Sequence, residues 1–267
     1  MIFKAVLLGL VEGITEFLPV SSTGHMIIVD NFLKLSKNME FTNAFEIIIQ
    51  LGAILSVIVY FWKELWPFSG SDEEKKDKWI MWSKVVVAVL PAVVLGLKFD
   101  KLIESKLFNA KVVATMLILY GIILIVLEIK NSKKKSFKIN SIKEMGFVTA
   151  IGIGFFQCLA MVPGTSRSAA TIIGGMLLGL NRAIAAEFSF FLAIPTMFGA
   201  TLLKIVKSGV NFTSSEWGII GVGFVVSFIV ALIVIRWFMD YIKNKDFKIF
   251  GYYRIILGII VLLVLKK

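Results

Sequence analysis

Six stretches of the chain are nearly unbroken runs of apolar residues: roughly Phe41–Trp62, Trp79–Leu97, Val112–Ile129, Ile184–Val206, Trp217–Met239 and Phe250–Leu265. An α-helix needs about 20 such residues to cross a bilayer core, so each predicts a membrane-spanning helix. Two further segments, residues 1–33 and 145–180, are apolar but interrupted. Each reads as an apolar helix, a proline (Pro19 or Pro163), a polar cluster and a second short apolar helix. Proline removes a helical hydrogen bond and restricts the residue before it, which ends the first helix near Leu18. Irregular backbone at membrane depth survives only where protein buries it or water lines it. Both segments are therefore predicted to be re-entrant helical hairpins with tips near the middle of the membrane.

The second half of the chain echoes the first. "EFLPVSSTGH" around Pro19 answers to "AMVPGTSRSA" around Pro163, "FEIIIQLGAIL" to "AEFSFFLAIPT", and "YGIILIVLEIK" to "LGIIVLLVLKK". The matches keep their order and a nearly constant interval, and they pair Glu46 with Glu187. A duplicated unit is expected, with residues 1–130 and 145–267 as the two copies within a single membrane domain. Loop charge then orients the copies. Loops 62–84, 130–143 and 236–254 are rich in Lys and Arg, whereas loop 204–217 holds only Lys204 and Lys207. Basic loops mark the cytoplasmic side. This places three full crossings in each copy, so the second copy is inverted and both termini lie outside. Loop 98–111, with four lysines, fits this scheme poorly. The expected fold class is an all-α polytopic membrane protein of two inverted repeats, each with one hairpin and about three transmembrane helices.

Composition agrees. Of the 267 residues, 58% are hydrophobic, above the roughly 45–50% of soluble domains. The net charge of +11 sits in short loops between spans, where it sets orientation rather than binding nucleic acid. A lone cysteine, Cys158, excludes an intrachain disulfide. The first residues hold one lysine and two acids with no cleavage pattern after them, unlike a signal peptide.

Chemistry concentrates in the hairpins. Glu12 and Glu16 are four apart and share a helix face. Acids at membrane depth cost about 2.5–3.5 kcal/mol on insertion scales and mark function by default. Oxygen ligands of this kind suit a divalent cation, Mg²⁺ or Ca²⁺; the same acids could instead orient a hydroxyl and a histidine. Ser21, Ser22 and Thr23 stand where the next helix begins. One hydroxyl would serve as an N-cap, but three with a histidine exceed that need. Ser22 and His25 are three apart and should face the same way, with His25 suited to moving a proton near neutral pH. In the second cluster, "PGTSRSA", Gly164 permits a tight backbone and Thr165, Ser166 and Ser168 offer hydroxyls. Arg167 brings a planar fork suited to phosphate oxygens, and the helix start adds free N–H groups. Facing each other, the clusters would bind a phosphorylated group on an apolar tail. Ser21 and Thr23 join the second cluster as candidate phosphate ligands, and Glu46, Gln50 and Glu187 are candidate supports.

The motifs "EGITEFLPVSSTGH" and "PGTSRS", followed by "AFEIIIQLGAIL" and "AEFSFFLAIPTMFGAT", closely resemble the bacterial undecaprenyl-diphosphate phosphatase family of the bacitracin-resistance type. The resemblance spans almost the whole chain. It implies a multi-pass plasma-membrane enzyme that removes the terminal phosphate of undecaprenyl diphosphate, recycling the lipid carrier for peptidoglycan synthesis. It also implies dependence on a divalent cation and a site opening to the outer face. The family's glutamate pair falls on Glu12 and Glu16, its serine and histidine on Ser22 and His25, and its arginine on Arg167. Ala169 stands where the family pattern has Gly. Ser22, His25 or an activated water could each be the nucleophile; Ser22 is favoured because Glu16 or His25 could take its proton. Protein partners are not specified by the sequence, and a homodimer could form. The main rival is a secondary transporter or flippase for a lipid phosphate, since inverted repeats, broken helices and membrane acids mark that class too. A structural scaffold would give the buried acids and Arg167 no purpose.

Overall fold

The computed structural model describes residues 1–132, 136–208 and 212–264, and every element among them is a helix apart from one isolated bridge between Ile139 and Leu180. The order is α1 (Ile2–Thr15), α2 (Ser22–Phe32), α3 (Met39–Tyr60), α4 (Trp62–Leu65), α5 (Asp72–Leu107), α6 (Ala110–Asn131), α7 (Phe147–Leu159), α8 (Arg167–Leu177), α9 (Arg182–Ser208), α10 (Ser214–Asn244) and α11 (Lys248–Val264). Five helices are long and apolar enough to cross a membrane: α3, α5, α6, α9 and α10. The sixth expected span falls on α11, whose described part has 17 residues; its expected end, Leu265, lies outside the described residues, as do Lys133, Lys134 and Lys135 of loop 130–143. With 14, 11, 13 and 11 residues, α1, α2, α7 and α8 fall short of the roughly 20 that a full crossing takes.

Local chemistry explains the helix starts. Capping boxes open α5 (Ser71 with Glu74) and α10 (Thr213 with Glu216), and Asn38 and Asn109 cap α3 and α6. Two expected loops are mostly helix. Residues 98–107 continue α5, because Lys, Glu and Leu are good helix formers and no Gly or Pro interrupts them. The break comes at Phe108–Asn109 instead. Likewise α10 runs to Asn244 and α11 resumes at Lys248, so Arg236 and Arg254, read from sequence as loop charges, are both helical.

α1 packs on α10, α7 on α5, α3 on both α9 and α10, and α6 on α11. Without a strong hydrophobic drive between helices in lipid, close backbone approach holds such pairs. A Cβ on Gly154 would come 2.2 Å from the Ala88 carbonyl oxygen, and one on Gly52 would come 2.4 Å from that of Phe224. The centre is aromatic: Phe17 meets Phe190 edge-on with centroids 5.1 Å apart, as Phe61 does Phe191. Outward faces such as Leu90, Val93, Val94 and Leu97 of α5 are exposed and apolar. Trp62 and Trp66 stack, and Trp66–Phe68 and Phe68–Trp79 meet edge-on, an aromatic cluster of the kind that sits at a membrane interface.

Candidate active site

Both interrupted segments break ahead of their prolines, and earlier than Leu18. α1 ends at Thr15 and α7 at Leu159, four residues before Pro19 and Pro163, because a proline ring clashes with the carbonyl four residues back. Both restart on a serine. Ser21 (φ 74°) caps α2 and accepts from the Gly24 N–H; Ser166 (φ 70°) caps α8 and accepts from the Ala169 N–H. Among the described residues these two alone combine a side chain with positive φ. That conformation costs about 1–3 kcal/mol at each position and persists only where surroundings enforce it. Gly164 (φ 90°) completes the second turn, where a Cβ would lie 2.4 Å from the Val113 carbonyl oxygen.

The enforcing group is Arg254. Its side chain is fully buried and its guanidinium donates to five backbone carbonyls. Three belong to the breaks: Pro19 (3.2 Å) in the first, Gly164 (2.8 Å) and Thr165 (2.9 Å) in the second. The others, Met116 and Leu117, belong to α6, and the Tyr120 ring lies 5.7 Å away. One planar cation from α11 thus ties both tips together. Ser168 adds a direct link, donating to the Leu18 carbonyl at 2.9 Å.

Where the tips meet, Glu16 stands between two partners. One oxygen accepts from the Ser22 hydroxyl at 2.8 Å and the other from Arg167 at 3.2 Å. The second arm of Arg167 donates to the Ser189 carbonyl at 2.8 Å, and its guanidinium lies 5.9 Å from the Phe17 ring. Glu12 is wholly buried with Glu16, Glu46 and Arg167 as charged neighbours. Among the charged side chains here, two buried atoms have no hydrogen-bond partner: Glu12 Oε1, an acceptor, and Arg167 Nε, a donor. The ensemble is a carboxylate pair, an approachable hydroxyl and an anion-binding fork within one small volume.

The sequence matches the family described as "Bacitracin resistance protein BacA" over residues 5–260. This chain belongs to that family. Among its relatives, "Undecaprenyl-diphosphatase 1" of Clostridioides difficile (strain 630) is 55% identical, the match covering 98% of this chain and 95% of the relative. "Undecaprenyl-diphosphatase" of Lachnoclostridium phytofermentans is 52% identical over 97% and 95%. That of Fusobacterium nucleatum subsp. nucleatum is 55% identical over 97% and 99%. With its five spanning-length helices the chain is a multi-pass membrane protein.

Within the family frame the remaining residues sort themselves. His25 is not bonded to Ser22. Its Nδ1 meets the Ser21 carbonyl at 2.8 Å and its Nε2 the Tyr253 hydroxyl at 2.7 Å. Ser166 exchanges a hydrogen bond with Ser168 at 3.0 Å. Thr165 is buried, and Thr23 and Gln50 are half-buried. Glu187 lies apart from this group, lining a cavity of about 620 Å³ with Lys63, Glu64 and Lys84. Sequence reading passed over Arg254, Tyr253 and Ser189. Only Arg254 carried a signal: a single cation inside the apolar run "FGYYRIILGII", where a charge at membrane depth calls for a purpose.

Proposed function

We propose that the chain hydrolyses undecaprenyl diphosphate to undecaprenyl phosphate and inorganic phosphate, the activity for which its relatives are named, and so recycles the lipid carrier for peptidoglycan synthesis and confers bacitracin resistance. The observation that carries the reading is Glu16 held between Ser22 and Arg167. Arg167 binds the terminal phosphate through Nε–H and the part of its fork now on Glu16, and its charge stabilises the phosphoryl group in transfer. Ser22 Oγ attacks the terminal phosphorus while its proton passes to Glu16, already within hydrogen-bond reach. The bond to the bridging oxygen breaks, and its electron pair departs with undecaprenyl phosphate. Water then attacks the phosphoserine, the serine oxygen takes back the proton from Glu16, and phosphate leaves.

The carboxylate pair fits a divalent cation, Mg²⁺ or Ca²⁺. Mg²⁺ is usually held by one or two carboxylates together with substrate phosphates rather than by an all-protein cage. Glu12, with an unpartnered buried oxygen, and Glu16 would hold it. The ion would neutralise charge on the diphosphate.

The architecture is read as two inverted repeats, residues 1–130 and 145–267, with α1–α2 and α7–α8 as re-entrant hairpins. The paired packing of α1 on α10 and α7 on α5 supports this, since each pair joins a first hairpin helix to the fourth helix of the opposite copy, the four-residue α4 not being counted. The lysine-rich loops assign the cytoplasmic face, leaving the site open to the outside of a bacterial plasma membrane. Detergent-solubilised protein should release phosphate from a polyprenyl diphosphate and lose that activity with chelator. A pure lipid-phosphate transporter would release none, and that result would overturn the reading.

A further inference from the structure

His25 is the chain's single histidine, and its surroundings decide which nitrogen is basic. Nδ1 lies against the Ser21 carbonyl. A carbonyl oxygen only accepts, so Nδ1 carries the hydrogen, and in the neutral ring Nε2 holds the lone pair. The Tyr253 hydroxyl, 2.7 Å away, donates to it. The two rings also stack, with centroids 5.5 Å apart and planes 10° from parallel. Both nitrogens are therefore engaged, and the Ser22 hydroxyl donates to Glu16 instead.

We propose that Tyr253 is a positioning residue for the reaction, holding His25 in its Nδ1–H form with the basic Nε2 turned toward α11 and not toward Ser22. The proposal rests on the hydrolase reading and refines it. Glu16 handles the proton of Ser22, and His25 is kept for a proton of the attacking water that reaches it through the Tyr253 hydroxyl, whose own proton passes to Nε2 as its oxygen takes the proton from the water. α11 is well placed for this. Arg254, the next residue, is locked to five carbonyls, which fixes the backbone from which Tyr253 projects. A phenol also suits both states of the ring. Its hydroxyl donates to a neutral Nε2 and accepts from a protonated one, so the contact holds in either protonation state. Phenylalanine would keep the stacking and lose this.

Because there is one histidine, labelling histidine ring nitrogens and using a histidine-free purification tag lets NMR read its tautomer directly in detergent. At about pH 8 an ordinary imidazole is neutral. There the wild-type protein should show Nδ1–H as the dominant form. Tyr253→Phe removes one of two hydrogen bonds that hold this form, so the Nε2–H population should rise roughly threefold to tenfold. kcat for phosphate release should fall by a similar factor with KM unchanged, because Tyr253 acts on His25 and not on substrate binding. Tyr253→Leu, lacking the stacked ring as well, should fall further. A dominant Nε2–H form in the wild type, or an unchanged tautomer in Tyr253→Phe, would overturn the proposal. So would an altered tautomer with unaltered kcat. A wild-type protein with the expected tautomer but no phosphate release would overturn the hydrolase reading alone.

Discussion

Arg254→Lys keeps the charge and most of the length of the side chain, yet it should behave as a severe lesion. The guanidinium reaches Pro19 in one break and Gly164 and Thr165 in the other. Hydrogen bonds from a charged donor are worth about 1.5–3 kcal/mol each, so the hold on the tips is about 5–9 kcal/mol gross. Desolvating a buried cation opposes this by several kcal/mol, but a lysine incurs that cost too. What lysine lacks is the planar fork. Its three donors radiate from one atom and cannot serve both breaks at once, so one or two of the three tip bonds should go, a loss of about 2–6 kcal/mol. Glu16 and Ser22 then drift relative to Arg167, and a misplacement of about 1 Å can cost about a hundredfold in rate. We expect kcat for phosphate release to fall by about that factor, with a lower melting temperature in detergent and normal membrane insertion. Arg236, exposed on α10, supplies the control, and Arg236→Lys should change nothing. An Arg254→Lys enzyme with kcat within a few-fold of the wild type would refute the argument that one guanidinium sets the geometry of both tips.

Ser22→Ala should reduce phosphate release by about a thousandfold or more by removing the nucleophile, while His25→Ala should be milder because Glu16 serves Ser22; the reverse order in a steady-state assay would point to His25 as nucleophile. Arg167→Lys should lower kcat by about a hundredfold, since an ammonium cannot present two parallel donors to phosphate, and near-normal turnover would reduce Arg167 to a charge that sets topology. Glu128→Gln is the contrasting case. Glu128, fully buried, accepts from Arg182 at 2.5 and 2.9 Å and from the Phe247 N–H, far along α6 from its Arg254-bonded carbonyls. Stability should drop by about 3 kcal/mol, the low end for a broken buried pair because Arg182 is partly exposed. Activity of the folded fraction, measured below the new melting point, should be unchanged.

Features that depend on near neighbours along the chain are legible in the amino acids. Pro19 and Pro163 stop their helices by local sterics, and the capping boxes at Ser71 and Thr213 start theirs by side chain-to-backbone bonds three residues long. Spanning helices are legible because lipid demands runs of apolar side chains. The two polar clusters stood out because membrane depth tolerates such residues only for a purpose. Helix ends were less legible where a helix outlasts its apolar run, as α5 does beyond Leu97, because hydropathy marks the end of the apolar run and not the end of hydrogen bonding. Tertiary structure alone decided which members of the clusters meet. Three-residue spacing placed Ser22 beside His25, but the Ser22 hydroxyl turns to the Glu16 carboxylate and the imidazole turns to Tyr253 of α11. Arg254 read as a loop charge because its acceptors are main-chain carbonyls, which every residue has and no sequence pattern distinguishes. Its role exists only where α11, α6 and two broken helices approach within one guanidinium's reach.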